Sequence, residues 1–194
     1  VQHEILFAPT VKRRFELWTF FSQLAFELWK LQDFFDGMAI ATAFNANPIY
    51  RLKIHKQILD PTVMTPIDMI MNDARSEKNF AALLALHNEA LKKNGLVIPY
   101  VGVYLTQLTF FYDGNKDYID ELVNFQKCAG IYQLVTKILS FQMKEFTYPI
   151  IDQVQEKIKG MKLWDSAILS ERSMLIEPKD MTVQQLKEQL DQGK

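Results

Sequence analysis

Gly102, Thr106, Thr109 and Asp113 recur at intervals of four, three and four, the spacing that stacks side chains along one side of a helix. Two hydroxyls and a carboxylate aligned in this way can hydrogen-bond and present charge, but nothing beside them forms a nucleophile and base. By spacing alone the plainer reading is a solvated polar face. Other chemistry is not indicated. No two glycines fit G-x-x-x-x-G-K-[ST] or G-x-G-x-x-G, so there is no phosphate loop or dinucleotide turn. His3, His55 and His87 are widely spaced and lack the i, i+4 partner that sets two metal ligands on one helix face. There is no G-x-S-x-G, and no carboxylate pair stands out among the 23 acids. The expectation is a protein that uses no metal, no cofactor and no covalent step.

The elements that must carry the stripe are helical. Seven Gly and seven Pro punctuate 194 residues, and the apolar residues between them recur at three- and four-residue intervals. The predicted fold is all-α. In the first long segment Leu17, Phe21, Leu24, Leu28, Leu31 and Phe35 form one face, widened by Trp18 and Trp29, with Gly37 set to end the helix. A short helix is expected over 38–44, stopped by Asn45 and Asn47-Pro48. Residues 51–70 read as a bend, and 76–93 as a helix ending at Asn94-Gly95.

Two helices follow over 98–112 and 123–143, separated by the turn-rich run 113–117, so 98–143 is an αα-hairpin. On its first helix Ile98, Val101, Leu105, Leu108 and Tyr112 should face inward. On its second, Phe125, Cys128, Ile131, Val135, Ile138 and Gln142 should form a brace, with Cys128 a small buried filler. Phe110 and Phe111 cannot both point inward; one patch facing a partner and simple core packing are equally open. Later helices are expected over 150–158 and 164–174, and after Thr182, whose Gln185 three residues on makes a capping box. No repeat or linker interrupts the chain, so residues 1–194 read as one compact domain with a protruding hairpin.

A net charge of −1 argues against nucleic acid or an anionic membrane as the main partner. Residues 15–35 are long enough to span a bilayer, but Glu16, Glu27, Lys30 and Asp33 make them a buried helix. The lone cysteine, Cys128, suggests a reducing compartment and a cytoplasmic location. A chain opening on Val1 suggests that upstream sequence is missing.

Over many fixed offsets, residues 98–110 (IPYVGVYLTQLTF), followed by Asp113-Gly114-Asn115, resemble the hairpin signature of RasGEF catalytic domains. Asn124-Phe125-Gln126-Lys127 is similar to the opening of the family's second hairpin helix, and Gln142 with Tyr148 to its exit. Residues 43–52 (AFNANPIYRL) resemble the family's Leu-Asn-Ser-x-x-Ile-x-Arg-Leu stretch. Leu169-Ser170 and Ile176-Glu177-Pro178-Lys179 resemble its closing elements. The resemblance covers nearly the whole chain but begins partway into the family's domain, as if the first helices were absent.

The resemblance implies a guanine-nucleotide exchange factor for a Ras-family small GTPase (Ras, Rap or Ral-like), acting at the membranes where the GTPase is anchored. A GTPase-binding or scaffold module with little exchange is the alternative. It further implies that Thr106, Thr109 and Asp113 form the wedge: Thr109 near the magnesium site, Asp113 competing with the α-phosphate. Val103, Gln107, Phe110 and Asn115 would meet the GTPase, and Asn124, Phe125 and Lys127 would support the hairpin. Arg51 is expected to anchor a helix-to-loop corner. Three departures from the family stand out: Tyr112 where a second acid is frequent, Gln107 where an Asp is common, and Cys128-Ala129 in place of basic residues.

Overall fold

Helix-forming periodicity and sparse breakers give an all-α chain: twelve helices and one two-stranded antiparallel ribbon among the described residues. The structure is a computed structural model that describes residues 1–75, 80–93 and 95–193. The first four residues of the helix expected over 76–93, and Asn94 at its end, lie outside the described residues. Contacts divide the chain into one unit of Val1–Lys30, Asp36–Asn72 and Tyr148–Lys194, and a second of Leu31–Phe35 and Asp73–Thr147.

The first unit is built around α2 (Val11–Lys30). Its buried seam is Val11, Arg14, Trp18, Ser22, Ala25 and Trp29. The stripe expected to face inward is instead half-buried along Leu17, Phe21, Leu24 and Leu28, and Leu31 and Phe35 are exposed. Two neighbouring stripes satisfy helical spacing here. The one that wins carries small residues where another helix crosses closely. Gly37 is that crossing point, and it does not end α2. It lies inside α3 (Phe34–Asn45), and a Cβ on it would stand 3.3 Å from both the Ala25 carbonyl oxygen and the Trp29 ring. The end of α2 falls earlier, where Gln32 adopts a positive φ of 67°.

Pro48 does not merely stop a helix. It opens α4 (Asn47–Tyr50), as a proline fits the first turn where no amide donor is needed. The expected bend over 51–70 holds α5 (Lys53–Ile58), a 3-10 turn and the start of α6 (Thr65–Asp73). Helix α1 (Gln2–Leu6) buries Ile5 and Leu6. From the far end of the sequence come α10 (Asp152–Lys159), α11 (Ser166–Ile176) and α12 (Val183–Asp191). The capping box on α12 forms as read: Thr182 accepts from the Gln185 amide, and the Gln185 side chain accepts from the Thr182 amide at 2.8 Å.

Two sequence blocks that lie far apart meet in this unit. The Arg51 guanidinium donates to the Ser173 carbonyl at 2.6 Å, to its hydroxyl at 3.1 Å, and to the Glu177 carbonyl at 2.8 Å, thereby capping the end of α11. The Glu177 carboxylate in turn accepts from the amides of Ile54 and His55, both at 3.1 Å, at the start of α5. His55 Nδ1 lies 2.7 Å from Glu177, and Arg14 Nη1 lies 3.1 Å from His55 Nε2. An arginine can only donate. His55 therefore accepts at Nε2 and donates from Nδ1 to the carboxylate. Burial lowers the His55 pKa, in keeping with that neutral form, and the Arg14 pKa is pushed down to about 10 by burial and by Arg172.

The second unit carries the hairpin. Helix α7 (Ala81–Lys93) buries Leu83, His87 and Ala90. Residues 98–101 are not helical as expected, because Pro99 keeps Ile98 extended. Ile98 instead bridges to Asp33: its amide donates to the Gln32 carbonyl at 3.0 Å and its carbonyl accepts from Phe34 at 2.9 Å. Helix α8 (Gly102–Gly114) then starts, and α9 (Phe125–Leu139) returns against it, followed by a 3-10 turn ending at Gln142. The connection is more than the turn expected over 113–117. Strands β1 (Tyr118–Ile119) and β2 (Leu122–Val123) pair across Asp120 and Glu121, both at positive φ, the requirement of a two-residue hairpin turn.

Candidate functional site: the helical hairpin

The root of the hairpin is fixed by a buried aromatic cluster. The Tyr100 amide donates to His87 Nε2 at 3.3 Å, so the ring proton sits on Nδ1 and is donated to the Tyr104 hydroxyl, 3.0 Å away. Phe141 packs edge-on against His87, with ring centroids 5.9 Å apart, and Tyr104 lies 5.7 Å from the same Phe141 ring. The first turn of α8 and the 3-10 turn that follows α9 are thus pinned to α7. Burial, with Lys137 nearby, holds the His87 pKa down to about 4, and burial pushes Tyr104 up to about 12. Neither residue was singled out by sequence pattern. A histidine on an otherwise apolar helix face, at 83, 87 and 90, was the available signal.

Between root and tip the helices approach closely at Gly130, where a Cβ would overlap the Phe111 ring. This decides which phenylalanine points inward. Phe111 packs between the helices, while Phe110 is 72% exposed.

The inward face of α8 is accordingly turned from the expected one. Val103 and Tyr104 are buried, whereas Leu105 and Tyr112 are more than half exposed. Val103 therefore holds the helix and has no surface for a partner to touch. Helix α9 also turns the other way: Lys127 is buried, Phe125 is 79% exposed, and Cys128 and Val135 are exposed. Cys128 is no buried filler, and Phe125 is no internal support. The small Gly130 and the long Lys127 stem, not the most apolar stripe, set the contact between the helices.

The tip is tied by Asn124 and Lys127. Asn124 caps α9 by accepting from the Lys127 amide at 3.1 Å, and its side-chain amide donates to the Lys116 carbonyl at 2.9 Å. The Lys127 ammonium donates to the Asn115 carbonyl at 2.8 Å and to Asp117 at 2.6 Å. Asn115 donates to the Phe111 carbonyl at 2.8 Å, finishing α8.

The stripe itself stands on the remaining side of α8. Thr106 is half-buried and donates to the Gly102 carbonyl at 2.9 Å; Thr109 is exposed and donates to Leu105 at 3.0 Å. Asp113 is exposed one turn further on. Thr106, Gln107, Phe110, Phe111 and Asn115 line a cleft with Gly130, Gln133 and Leu134 of α9. The arrangement offers hydroxyls, one carboxylate and an apolar ring on a helix braced at both ends.

A family model described as the RasGEF domain matches residues 1–129, two thirds of the chain, running through α8 and its connection into the first turn of α9. The chain belongs to the RasGEF family. Curated RasGEF relatives extend the likeness past that point. Ras guanine nucleotide exchange factor J of Dictyostelium discoideum is 36% identical over 180 residues, covering 91% of this chain and 21% of the relative. Ras guanine nucleotide exchange factor I of the same organism is equally similar, at 36% over 180 residues. Cell division control protein 25 of Saccharomyces cerevisiae is 29% identical over 165 residues, covering 82% of this chain and 10% of the relative. The chain thus spans about a fifth of the length of its first two relatives. No helix among the described residues is long and apolar enough to cross a membrane, residues 15–35 included.

Proposed function

We propose that this RasGEF chain promotes GDP release from a Ras-family small GTPase, with the exposed side of α8 as the wedge. What carries this reading is the exposure of Thr109, Phe110 and Asp113 on a helix held at its root by His87 and Phe141 and at its tip by Lys127. Thr106 and Thr109 spend their hydroxyl protons on their own helix, so toward a partner they act by shape and as weak acceptors. Thr109 would occupy space near the magnesium site. Asp113, with no partner among the described residues, would oppose the α-phosphate by like charge and draw its donors away.

Gln107, Phe110 and Asn115 would contact the GTPase; Val103 moves from that set to the support of the helix. Asn124 and Lys127 serve as hairpin support, while Phe125 is free to join the contact surface. No covalent chemistry is involved. A factor that binds the nucleotide-free GTPase more tightly must weaken nucleotide binding by the same factor. Each tenfold gain in release rate needs about 1.4 kcal/mol off the barrier, and a rigid support lets the wedge apply it. The site of action would be the cytoplasmic face of the membranes that anchor the GTPase.

The test is GDP release from Ras, Rap and Ral proteins loaded with a fluorescent nucleotide. Acceleration of one of them supports the proposal and names the partner. Binding without acceleration would assign the chain a scaffold role, and neither would overturn both readings.

A further inference from the structure

Lys127 is a buried cation: its side chain is 7% exposed, on the first turn of α9. An ammonium has three N–H donors, and leaving one unmet in a buried place is costly. Two go to the Asn115 carbonyl and to Asp117. The third direction is covered by the face of the Tyr112 ring, whose centroid lies 4.0 Å from Nζ. The Asp117 side chain is 65% exposed, so solvent weakens that ion pair and the ring shares in holding the ammonium.

Of these three groups only Tyr112 lies within α8, next to Asp113 and three residues after Thr109. At this place the chain carries a ring that grips the lysine without adding charge. A carboxylate at that place would put a second negative charge beside Asp113. Tyr112 holds the helix end and leaves Asp113 as its single acid.

We propose that Tyr112 is a positioning residue for nucleotide release, a neutral clamp on Lys127 that sets where the end of α8 presents Asp113. The inference rests on the exchange function proposed above, but the clamp can be tested apart from it. In Y112L, amide hydrogen exchange over residues 113–123 is expected to quicken about tenfold, the scale of a cation–π contact between a buried ammonium and a half-exposed ring. The saturating GDP-release rate should fall about tenfold, with the half-saturating GTPase concentration and the melting temperature of the whole chain little changed. Y112F, which keeps the ring, should restore both.

Wild-type protection in Y112L, or Y112F as impaired as Y112L, would overturn the clamp. In the unaltered protein the Lys127 ε-methylene protons should show an upfield ring-current shift, and an ordinary lysine shift would overturn it without any variant. If the wild-type chain accelerates no GTPase, the exchange reading fails while hydrogen exchange and the ring-current shift still decide the clamp.

Discussion

Asp113 and Thr109 are exposed and contribute little to the packing of the fold, so their replacement should separate function from stability. D113N removes the charge but keeps the shape, and T109E adds bulk and charge beside it. Each is expected to slow GDP release by about tenfold, or 1.4 kcal/mol of barrier, with circular dichroism and melting temperature unchanged. F110A should behave alike, because its ring is 72% exposed and gives up little core. Unchanged release in all three would remove α8 from the mechanism. Arg51 belongs to the opposite class. R51M strands the Ser173 and Glu177 carbonyls it caps, and should cost about 2 kcal/mol in denaturant unfolding without touching the wedge.

The hairpin as an element depends on its closest contact. G130V would drive two methyl groups into the Phe111 ring, and overpacking of this kind costs about 1 to 3 kcal/mol. Hydrogen exchange should then rise along both α8 and α9 while α2 and α11 keep their protection. Sequence periodicity located this hairpin but misjudged its faces. Helix α8 is apolar on nearly every side, so the stripes through Leu105 and through Tyr104 fit a helical period equally well. What separates them is the receptor on another element: His87 accommodates the Tyr104 hydroxyl, and the missing side chain of Gly130 accommodates Phe111. Asn124 and Lys127 were legible through the family resemblance, and the structure adds that Asn124 caps α9 by accepting from the Lys127 amide.

For the whole molecule, the buried histidines predict an acid-sensitive fold. His87 ordinarily titrates at 6.5 and is held to about 4 in the folded state by burial. Between those values the unfolded chain takes up a proton that the folded one does not. Stability is therefore full above pH 6.5 and declines as pH falls toward 4, by up to about 3 kcal/mol for this residue. His55 is lowered by burial and acts in the same sense. The Glu177 pKa is also lowered, by hydrogen bonds from His55 and two backbone amides that outweigh its burial, so its contribution too is lost in acid. Denaturant midpoints measured from pH 8 to 4 should fall, and H87Q should show a shallower decline whatever its stability at pH 8.

Local chemistry is what the sequence alone determined: the all-α class, the hairpin and the Thr182 capping box. Each depends on residues a few positions apart. Tertiary structure decided which stripe of α2, α8 and α9 faces inward, and that Val103 is buried while Cys128 and Phe125 are exposed. It also decided that Arg51 reaches Ser173, 122 positions away. The physical reason is that a helix apolar on most sides has several faces of nearly equal hydrophobic gain. The choice falls to close approach at small residues such as Ala25, Gly37 and Gly130, and to buried polar groups that must find partners.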